Sequence, residues 1–384
     1  MEEKRSFLKN KVDIESPNKN IVPITTSIDE NGNLNVGGCS IKELVKTYDS
    51  PLYVLDEITL RNSCRAYKKA LEKYYPGNSL PIYASKANSS LFMSSLVASE
   101  GFGLDAVSEG ELLTALEGGV SNEKIVFHGN NKSDKEIEFA VKNNIKVIVD
   151  NDHDLKRLKE ISDTLKTHLD IMLRFTPGIE CHTHEYIRTG SFDSKFGFGI
   201  EQLKEIFETI MNTKYLKLIG LHAHIGSQIF ELDPHKDLGE IMIRAIIEAK
   251  KFGHNIKELN VGGGLGIKYT EQDKPPSIDQ WVKTVSFSVL EACKKNNLDL
   301  PILMCEPGRS KLCFLQALTT ELEIVFIHSS IEGGSSFFVY LMPRPPPTLS
   351  SLILWPNFLA SKITFTIISP RSLCGSSSKI WEPI

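Results

Sequence analysis

Lys86 closes the run Pro81-Ile82-Tyr83-Ala84-Ser85-Lys86, a short apolar segment that ends in an amine and leads at once into Asn88-Ser89-Ser90, a helix-start signature. Lysine is ordinarily a solvated surface group. An aromatic residue and small neighbours crowd this one, so the sequence predicts a partly buried amine that loses its proton readily and can form a Schiff base with an aldehyde. Gly262-Gly263-Gly264-Leu265-Gly266 reads either as a flexible turn or as a loop whose backbone N–H groups cradle a phosphate. It is not the dinucleotide fingerprint, because its glycine spacing differs and no ribose-binding acid follows in a βαβ unit.

His222-Ala223-His224-Ile225-Gly226-Ser227-Gln228 sets two imidazoles two residues apart. On a strand they would share a face, as two metal ligands would, yet no third ligand of suitable spacing accompanies them. A His224 ring stacked on a flat cofactor, with Ser227 reaching its phosphate, fits better, and no metal is expected. His128 and His182-Thr183-His184 are the remaining histidines that bear on a metal site. In Cys305-Glu306-Pro307-Gly308-Arg309-Ser310 a carboxylate stands beside an arginine, ordinarily a salt bridge. The pair could instead divide its work, with Glu306 keeping a pyridine nitrogen protonated and Arg309 holding an anionic group. A protonated ring of that kind is an electron sink, which carbanion chemistry at an amino-acid Cα requires.

Elements of regular spacing must carry these groups. From residue 80 onward, short apolar runs alternate with helical segments. Strands are predicted at Leu80–Ala84, Gly103–Val107, Ile125–His128, Val147–Val149, Ile171–Phe175, Leu218–His224, Glu258–Val261 and Ile302–Cys305. Helices are expected near 88–99, 109–118, 133–143, 152–165, 200–211, 237–252 and 277–295. Eight strand–helix units over about 225 residues are the sequence form of a (β/α)₈ TIM barrel; a doubly wound sheet is the alternative. In a barrel, chemistry sits at the C-terminal strand ends. Reading only those ends gives Lys86, Asp105, His128 with Asn130, Arg174, His224 with Ser227, Gly262 to Gly264, and Glu306 with Arg309. A further helix is expected over Glu57–Tyr75, after a short one near 41–48 and a strand at Leu52–Leu55. Asn31-Gly32 between short runs marks a hairpin.

The chain has 384 residues, 41% hydrophobic and 24% charged, with a formal net charge of −4, as an ordinary globular protein of about two domains would. That charge lacks the basic footprint of a nucleic-acid binder. Seven cysteines are scattered without metal-type spacing, and Met1 to Asn20 is polar, without the apolar core of a secretory signal, so reduced thiols in the cytoplasm are expected. Thr348 to Ser369 is apolar but broken by Pro356 and Lys362, so no membrane span is expected.

Several motifs together carry a family resemblance: Tyr83-Ala84-Ser85-Lys86-Ala87-Asn88, Gly103 to Leu112, Phe127-His128-Gly129-Asn130-Asn131-Lys132, His182-Thr183-His184-Glu185-Tyr186-Ile187, Asp193 to Phe198, His224-Ile225-Gly226-Ser227-Gln228 and Gly262 to Gly266. Over about residues 20–310 the chain resembles the diaminopimelate decarboxylases, alanine-racemase-like, fold-type III pyridoxal-phosphate enzymes. The His-Thr-His-Glu-Tyr-Ile segment favours them over ornithine and arginine decarboxylases. The resemblance implies pyridoxal 5'-phosphate bound at Lys86, His224 stacked on its ring, and Asp105 on the cofactor side of the site. It implies Ser227 and Gly262, Gly263 and Gly264 on the phosphate, Glu306 on the pyridine nitrogen, and Arg309 on substrate or phosphate. It further implies a small amino-acid substrate, meso-2,6-diaminopimelate decarboxylated to L-lysine, and a homodimer completing its sites across the interface. A binding protein without catalysis, and a decarboxylase of another basic amino acid, are the alternatives.

The resemblance stops after Ser310. The expected Cys-Glu-Ser-Gly-Asp type segment has no convincing counterpart; Leu373-Cys374-Gly375-Ser376 and Met342-Pro343-Arg344-Pro345 are faint echoes. From Lys311 onward only nine residues are charged, against 24% of the whole chain, and Arg344-Pro345-Pro346-Pro347 cannot lie inside a central strand. Translation of this segment out of its ancestral frame, or true divergence, accounts for the shift. The expected organisation is residues 1–50 as an arm contributing strands to a second β-rich domain, 51–305 as the cofactor-binding barrel, and 306–384 as a degraded or divergent remainder of that second domain.

Overall fold

The computed structural model describes residues 23–50, 52–179, 196–267, 273–311, 314–317 and 364–368. The described residues fall into two compact units, one drawn from within Cys64–Gly266 and Pro275–Arg309, the other from within Met1–Ser63, Ile267–Lys274 and Ser310–Ile384.

In the first unit, eight parallel strands are present among the described residues: β1 (Ser79–Ala84), β2 (Gly103–Ala106), β3 (Ile125–Phe127), β4 (Lys146–Val149), β5 (Leu169–Thr176), β6 (Leu216–His222), β7 (Glu258–Asn260) and β8 (Ile302–Cys305). Each pairs with the next, β8 returns to β1, and β4 pairs with β5, so the sheet closes on itself. Closure excludes the doubly wound alternative, whose sheet has two open edges. A two-residue strand, Phe198–Gly199, adds to the end of β5.

Helices α1 (Leu91–Ser99), α2 (Glu109–Glu117), α3 (Asp134–Lys142), α4 (Asp152–Leu165), α5 (Leu203–Met211), α6 (Asp233–Lys251) and α7 (Ile278–Lys295) lie between the strands. Five begin on a side-chain cap, with Ser90, Ser108, Ser133, Asn151 and Ser277 each accepting a backbone N–H three residues on. Such caps satisfy a helix-start donor and fix where each strand-to-helix loop ends. Helix α6 begins earlier than its apolar periodicity predicts, because Pro234 sits in its first turn, where a missing N–H costs nothing.

Ile82, Val126, Ile148, Met172 and Met304 form one buried cluster drawn from β1, β3, β4, β5 and β8. Strands that are not all neighbours can share a cluster only through the barrel interior, so the barrel is a packed core and leaves its chemistry to the rim.

In the second unit, Ser27–Ile28 pairs antiparallel with Leu34–Val36 around the expected turn, where Asp29 accepts the N–H groups of Asn31 and Asn33. The helix Ile41–Tyr48 follows. Strand Leu52–Asp56 is flanked by Phe314–Ala317, antiparallel, and Thr364–Ile368, parallel. Thr25 and Thr59 both donate to the buried Asp56 carboxylate. The helix Glu57–Tyr74 runs from this unit into the other. Residues 1–22 of the N-terminal arm, His182-Thr183-His184, most of Thr348 to Ser369 and the segments around Met342 and Cys374 lie outside the described residues. Among the described residues, no helix is long and apolar enough to cross a membrane.

Candidate active site

Asp105 is the penultimate residue of β2, His128 follows β3 directly, His222 ends β6, Asn260 ends β7 and Glu306 follows β8 directly. Parallel strands put all these positions at one rim, and each of the five side chains is more than nine-tenths buried. Glu306 is their hub. Its Oε1 accepts a hydrogen bond from Asn260 Nδ2 at 2.7 Å and lies 2.9 Å from His128 Nε2. Its Oε2 lies 3.5 Å from His222 Nε2, and the two imidazoles meet edge to face at 4.7 Å between centroids. Asp105 Oδ1 stands 3.9 Å from His128 Nε2.

The protonation states follow from these neighbours. Burial opposes charge on Glu306, yet His128 and His222 outweigh it and hold the carboxyl well below its usual range. Burial likewise opposes a charged His128, and Asp105 with Glu306 overcomes it and raises the ring above the ordinary histidine value. His222 lacks enough compensation, so burial lowers it to about 4. Asp105 is raised by burial despite the opposing charges of His128 and Lys86. At neutral pH the rim therefore holds an anionic Glu306 and a neutral His222, with His128 biased toward its charged form.

His224 faces elsewhere. Strand β6 ends at His222, so the alternation that would keep both rings on one face stops there, and His222 rather than His224 joins the Glu306 cluster. The half-buried His224 accepts the Gly263 N–H on its Nδ1 at 3.2 Å. Burial first, then the positive charges of Lys86 and Arg174, keeps this imidazole neutral by lowering its pKa well below normal.

The glycine run is required by contact and conformation. Gly262 and Gly264 have φ of 67° and 109°. A Cβ at Gly262 would stand 2.8 Å from His224 Nδ1, and one at Gly263 would stand 2.6 Å from the Glu306 carbonyl oxygen. Two of the three N–H groups expected to face a phosphate donate inward instead, Gly262 to Asn260 Oδ1 at 2.9 Å and Gly263 to His224. Asn260 thereby ties the glycine loop to the Glu306 carboxylate. The sequence reading missed it, although its place as the last strand residue two before the glycines was the available signal.

Lys86 lies in a 3₁₀ turn, Ser85–Ala87, immediately past β1. It is exposed, which corrects the expectation of a partly buried amine: Tyr83, Ala84 and Ser85 turn inward and take the buried positions, and the lysine is left at the surface of the rim. Its charge nevertheless acts on both Asp105 and His224. Ser227 is half-buried in the loop after β6, and Arg309, also half-buried, opens a 3₁₀ turn after β8. Arg174 pairs with Asp150 at 3.2 Å and lies over the Phe196 ring at 4.6 Å.

This donor set suits pyridoxal phosphate. An anionic buried carboxylate matches a protonated pyridine nitrogen, a neutral imidazole can lie on an aromatic ring, and an amine can take the aldehyde.

Residues 57–312 match the family described as pyridoxal-dependent decarboxylase, pyridoxal binding domain. The chain is 49% identical to the diaminopimelate decarboxylase of Synechocystis sp. over 77% of this chain and 65% of that protein, so it spans less than two thirds of that relative. It is 37% identical to the Staphylococcus aureus diaminopimelate decarboxylase over 82% of this chain and 75% of that one. Among solved structures, the diaminopimelate decarboxylase of M. jannaschii in complex with L-lysine aligns with a TM-score of 0.71 at 25% identity, covering 84% of this chain and 86% of that chain. A Helicobacter pylori diaminopimelate decarboxylase complexed with L-lysine aligns at 0.65 and 30% identity, covering 73% and 72%. By sequence, by fold and by the pyridoxal-binding match over most of its length, this chain belongs to the pyridoxal-dependent decarboxylases, and within them to the diaminopimelate decarboxylases.

Proposed function

We propose that the chain decarboxylates meso-2,6-diaminopimelate to L-lysine and CO₂. The observation that carries this reading is the rim itself, where an exposed lysine, a neutral imidazole and an anionic Glu306 converge beside a glycine loop. When bound, pyridoxal phosphate supplies an electron sink for the charge left at the substrate Cα.

The residues divide the work. Lys86 takes the cofactor aldehyde, and its exposure leaves the amine open to attachment and to exchange with a substrate amine. His224, oriented by the Gly263 N–H, offers an uncharged ring face to the pyridine. Glu306 accepts from the ring nitrogen, and its low pKa keeps it the acceptor while the nitrogen keeps the proton. Asp105 adds negative charge on the same side and balances His128. Gly264 and Ser227 would hold the phosphate, with Gly262 and Gly263, whose N–H groups donate to Asn260 and His224, shaping the loop beside it. Arg309 receives an anionic group of substrate or cofactor. The barrel spans residues 51–305, segment 1–50 contributes strands to a second domain of which 306–384 is the degraded or divergent remainder, and where that domain folds the assembly works as a cytoplasmic homodimer.

A second reading, cofactor binding without turnover, draws support from the segment after Ser310, where charge falls and the Cys-Glu-Ser-Gly-Asp type motif has no convincing counterpart. One experiment separates the two. The purified chain is incubated with pyridoxal phosphate, reduced with borohydride, and mapped for the modified lysine; a parallel sample is assayed for CO₂ from meso-diaminopimelate. Labelling at Lys86 with CO₂ release supports decarboxylation, and labelling without release supports the second reading. Absence of label at Lys86 removes both.

A further inference from the structure

Ser108-Glu109-Gly110-Glu111 opens α2 with the Ser-x-x-Glu pattern of a capping box, in which the acid folds back on the N–H of the capping serine. Helix α3 closes that box, Glu136 accepting the Ser133 N–H at 2.8 Å. Glu111 turns its carboxylate elsewhere. Its Oε2 accepts the Val107 N–H at 2.8 Å and the Ser85 hydroxyl at 2.8 Å. The second bond leaves the helix and crosses to the preceding strand–helix unit, where the buried Ser85 is the residue before Lys86. An acid that bonds a buried hydroxyl 26 residues away, rather than closing its own cap, ties two segments of the rim together.

The turn that carries Lys86 is held differently on its other side. The Ala84 N–H donates to the Pro307 carbonyl at 3.1 Å, and a Cβ at Gly308 would stand 3.2 Å from Ala84 Cβ and 3.5 Å from Ala87 Cβ. On the β8 side the restraint is therefore backbone contact, which persists whatever side chains lie near. Toward β2, Ala84 is in register with Asp105, and the Ser85–Glu111 bond carries that tie beyond the strand into the turn. The charge of Glu111 reaches the site as well. After burial and the Glu306 charge, it adds to what raises the Asp105 carboxyl.

We propose that Glu111 is a positioning residue for Lys86: through Ser85, its carboxylate holds the Ser85–Ala87 turn against the end of β2, so that the amine meets the cofactor aldehyde in one orientation. The inference rests on the proposed function, in which Lys86 takes that aldehyde. Capture is a condensation: the amine nitrogen bonds to the aldehyde carbon, and the aldehyde oxygen leaves as water with two amine protons. Glu111 exchanges no proton in this step and sets only where the nitrogen stands. A fixed orientation raises the share of encounters that react.

The test is the rate at which the cofactor-free full-length chain takes up pyridoxal phosphate at Lys86, quenched with borohydride at timed intervals and read by peptide mapping. Glu111→Ala and Ser85→Ala should each slow uptake by about 10-fold, as loss of one hydrogen bond to a charged group does. The double variant should be no slower than the slower single one, because both substitutions remove the same link. Glu111→Gln keeps an oxygen that can accept both bonds and should stay within about twofold of the unsubstituted rate. Far-UV dichroism and the thermal midpoint check that each variant is folded. Uptake by the folded alanine variants within about twofold of the unsubstituted chain overturns the proposal. An additive loss in the double variant also overturns it, as does a glutamine variant as slow as the alanine one. If Glu111→Ala does not fold, Ser85→Ala and Glu111→Gln decide on the same limits. Should the unsubstituted chain take no label at Lys86, it is the proposed function that fails. Amide hydrogen exchange over Ser85–Ala87 then decides the tie by itself, faster exchange in folded Ser85→Ala supporting it and unchanged exchange overturning it.

Discussion

Lys132 and Glu306 are buried charges at the same end of one barrel, and they are held in opposite ways. Lys132 Nζ donates to the Gly129 carbonyl at 2.5 Å, the Ile148 carbonyl at 2.8 Å and Asp154 at 2.6 Å, so every hydrogen of the ammonium has an acceptor. Around Glu306 the contacts are looser: His128 Nε2 and His222 Nε2 stand 2.9 Å and 3.5 Å from its two oxygens without the alignment of a full hydrogen bond. A saturated buried ion pair fixes the loop between β3 and α3 and has nothing left to offer a ligand. An under-satisfied cluster gives up some stability and keeps its bonding capacity for a visitor. The contrast separates the charges that build the rim from those that use it.

The largest effect should come from breaking the saturated pair. Lys132→Met strands Asp154 in the interior and should cost about 3–5 kcal/mol in urea unfolding, and adding Asp154→Leu should recover most of the loss. Glu306→Gln should do the reverse, lowering kcat/KM by about 100-fold while costing less in unfolding than Lys132→Met, about 1–3 kcal/mol. Equal stability losses in the two variants would dissolve the distinction.

A smaller effect concerns acid. His235 on α6 is buried against Trp281, neither of its ring nitrogens has a hydrogen-bond partner among the described residues, and burial lowers its pKa to about 3. The unfolded chain takes up this proton below the ordinary value of about 6.5, and the folded chain does not until far lower. This residue therefore removes stability as pH falls from about 6.5 to about 3. At pH 5 that amounts to about 2 kcal/mol. His235→Gln should flatten the acid limb of the stability profile, and an unchanged limb would show that the ring is not held neutral. Smallest is Ser133→Ala, next to Lys132, which removes the capping box of α3 at about 1 kcal/mol. It measures how much of the Lys132→Met loss belongs to the loop rather than to the stranded charge.

Much of this was legible from residue order alone. Apolar runs of strand length alternating with capped helices specify the barrel, because each strand buried on both sides must be short and hydrophobic and each helix needs a donor at its start. The eight predicted strands agree with those observed to within one or two residues at each end. Their C-terminal ends picked out Lys86, Asp105, His128, Glu306 and the glycines as one rim, since parallel strands leave all such ends on one side.

What residue order could not give is which of those groups touch. His222 was paired with His224 by an alternation that stops where the strand stops, whereas closure of the barrel brought it to Glu306 and His128 from strands far apart in sequence. Asn260 became the tie between glycine loop and carboxylate only through distances. Lys86 looked shielded by its neighbours in sequence, yet those neighbours take the buried positions and leave it exposed. Composition and local pattern set the elements, because they depend on residues a few places apart; side-chain contacts and protonation states depend on groups that only the closed barrel makes neighbours.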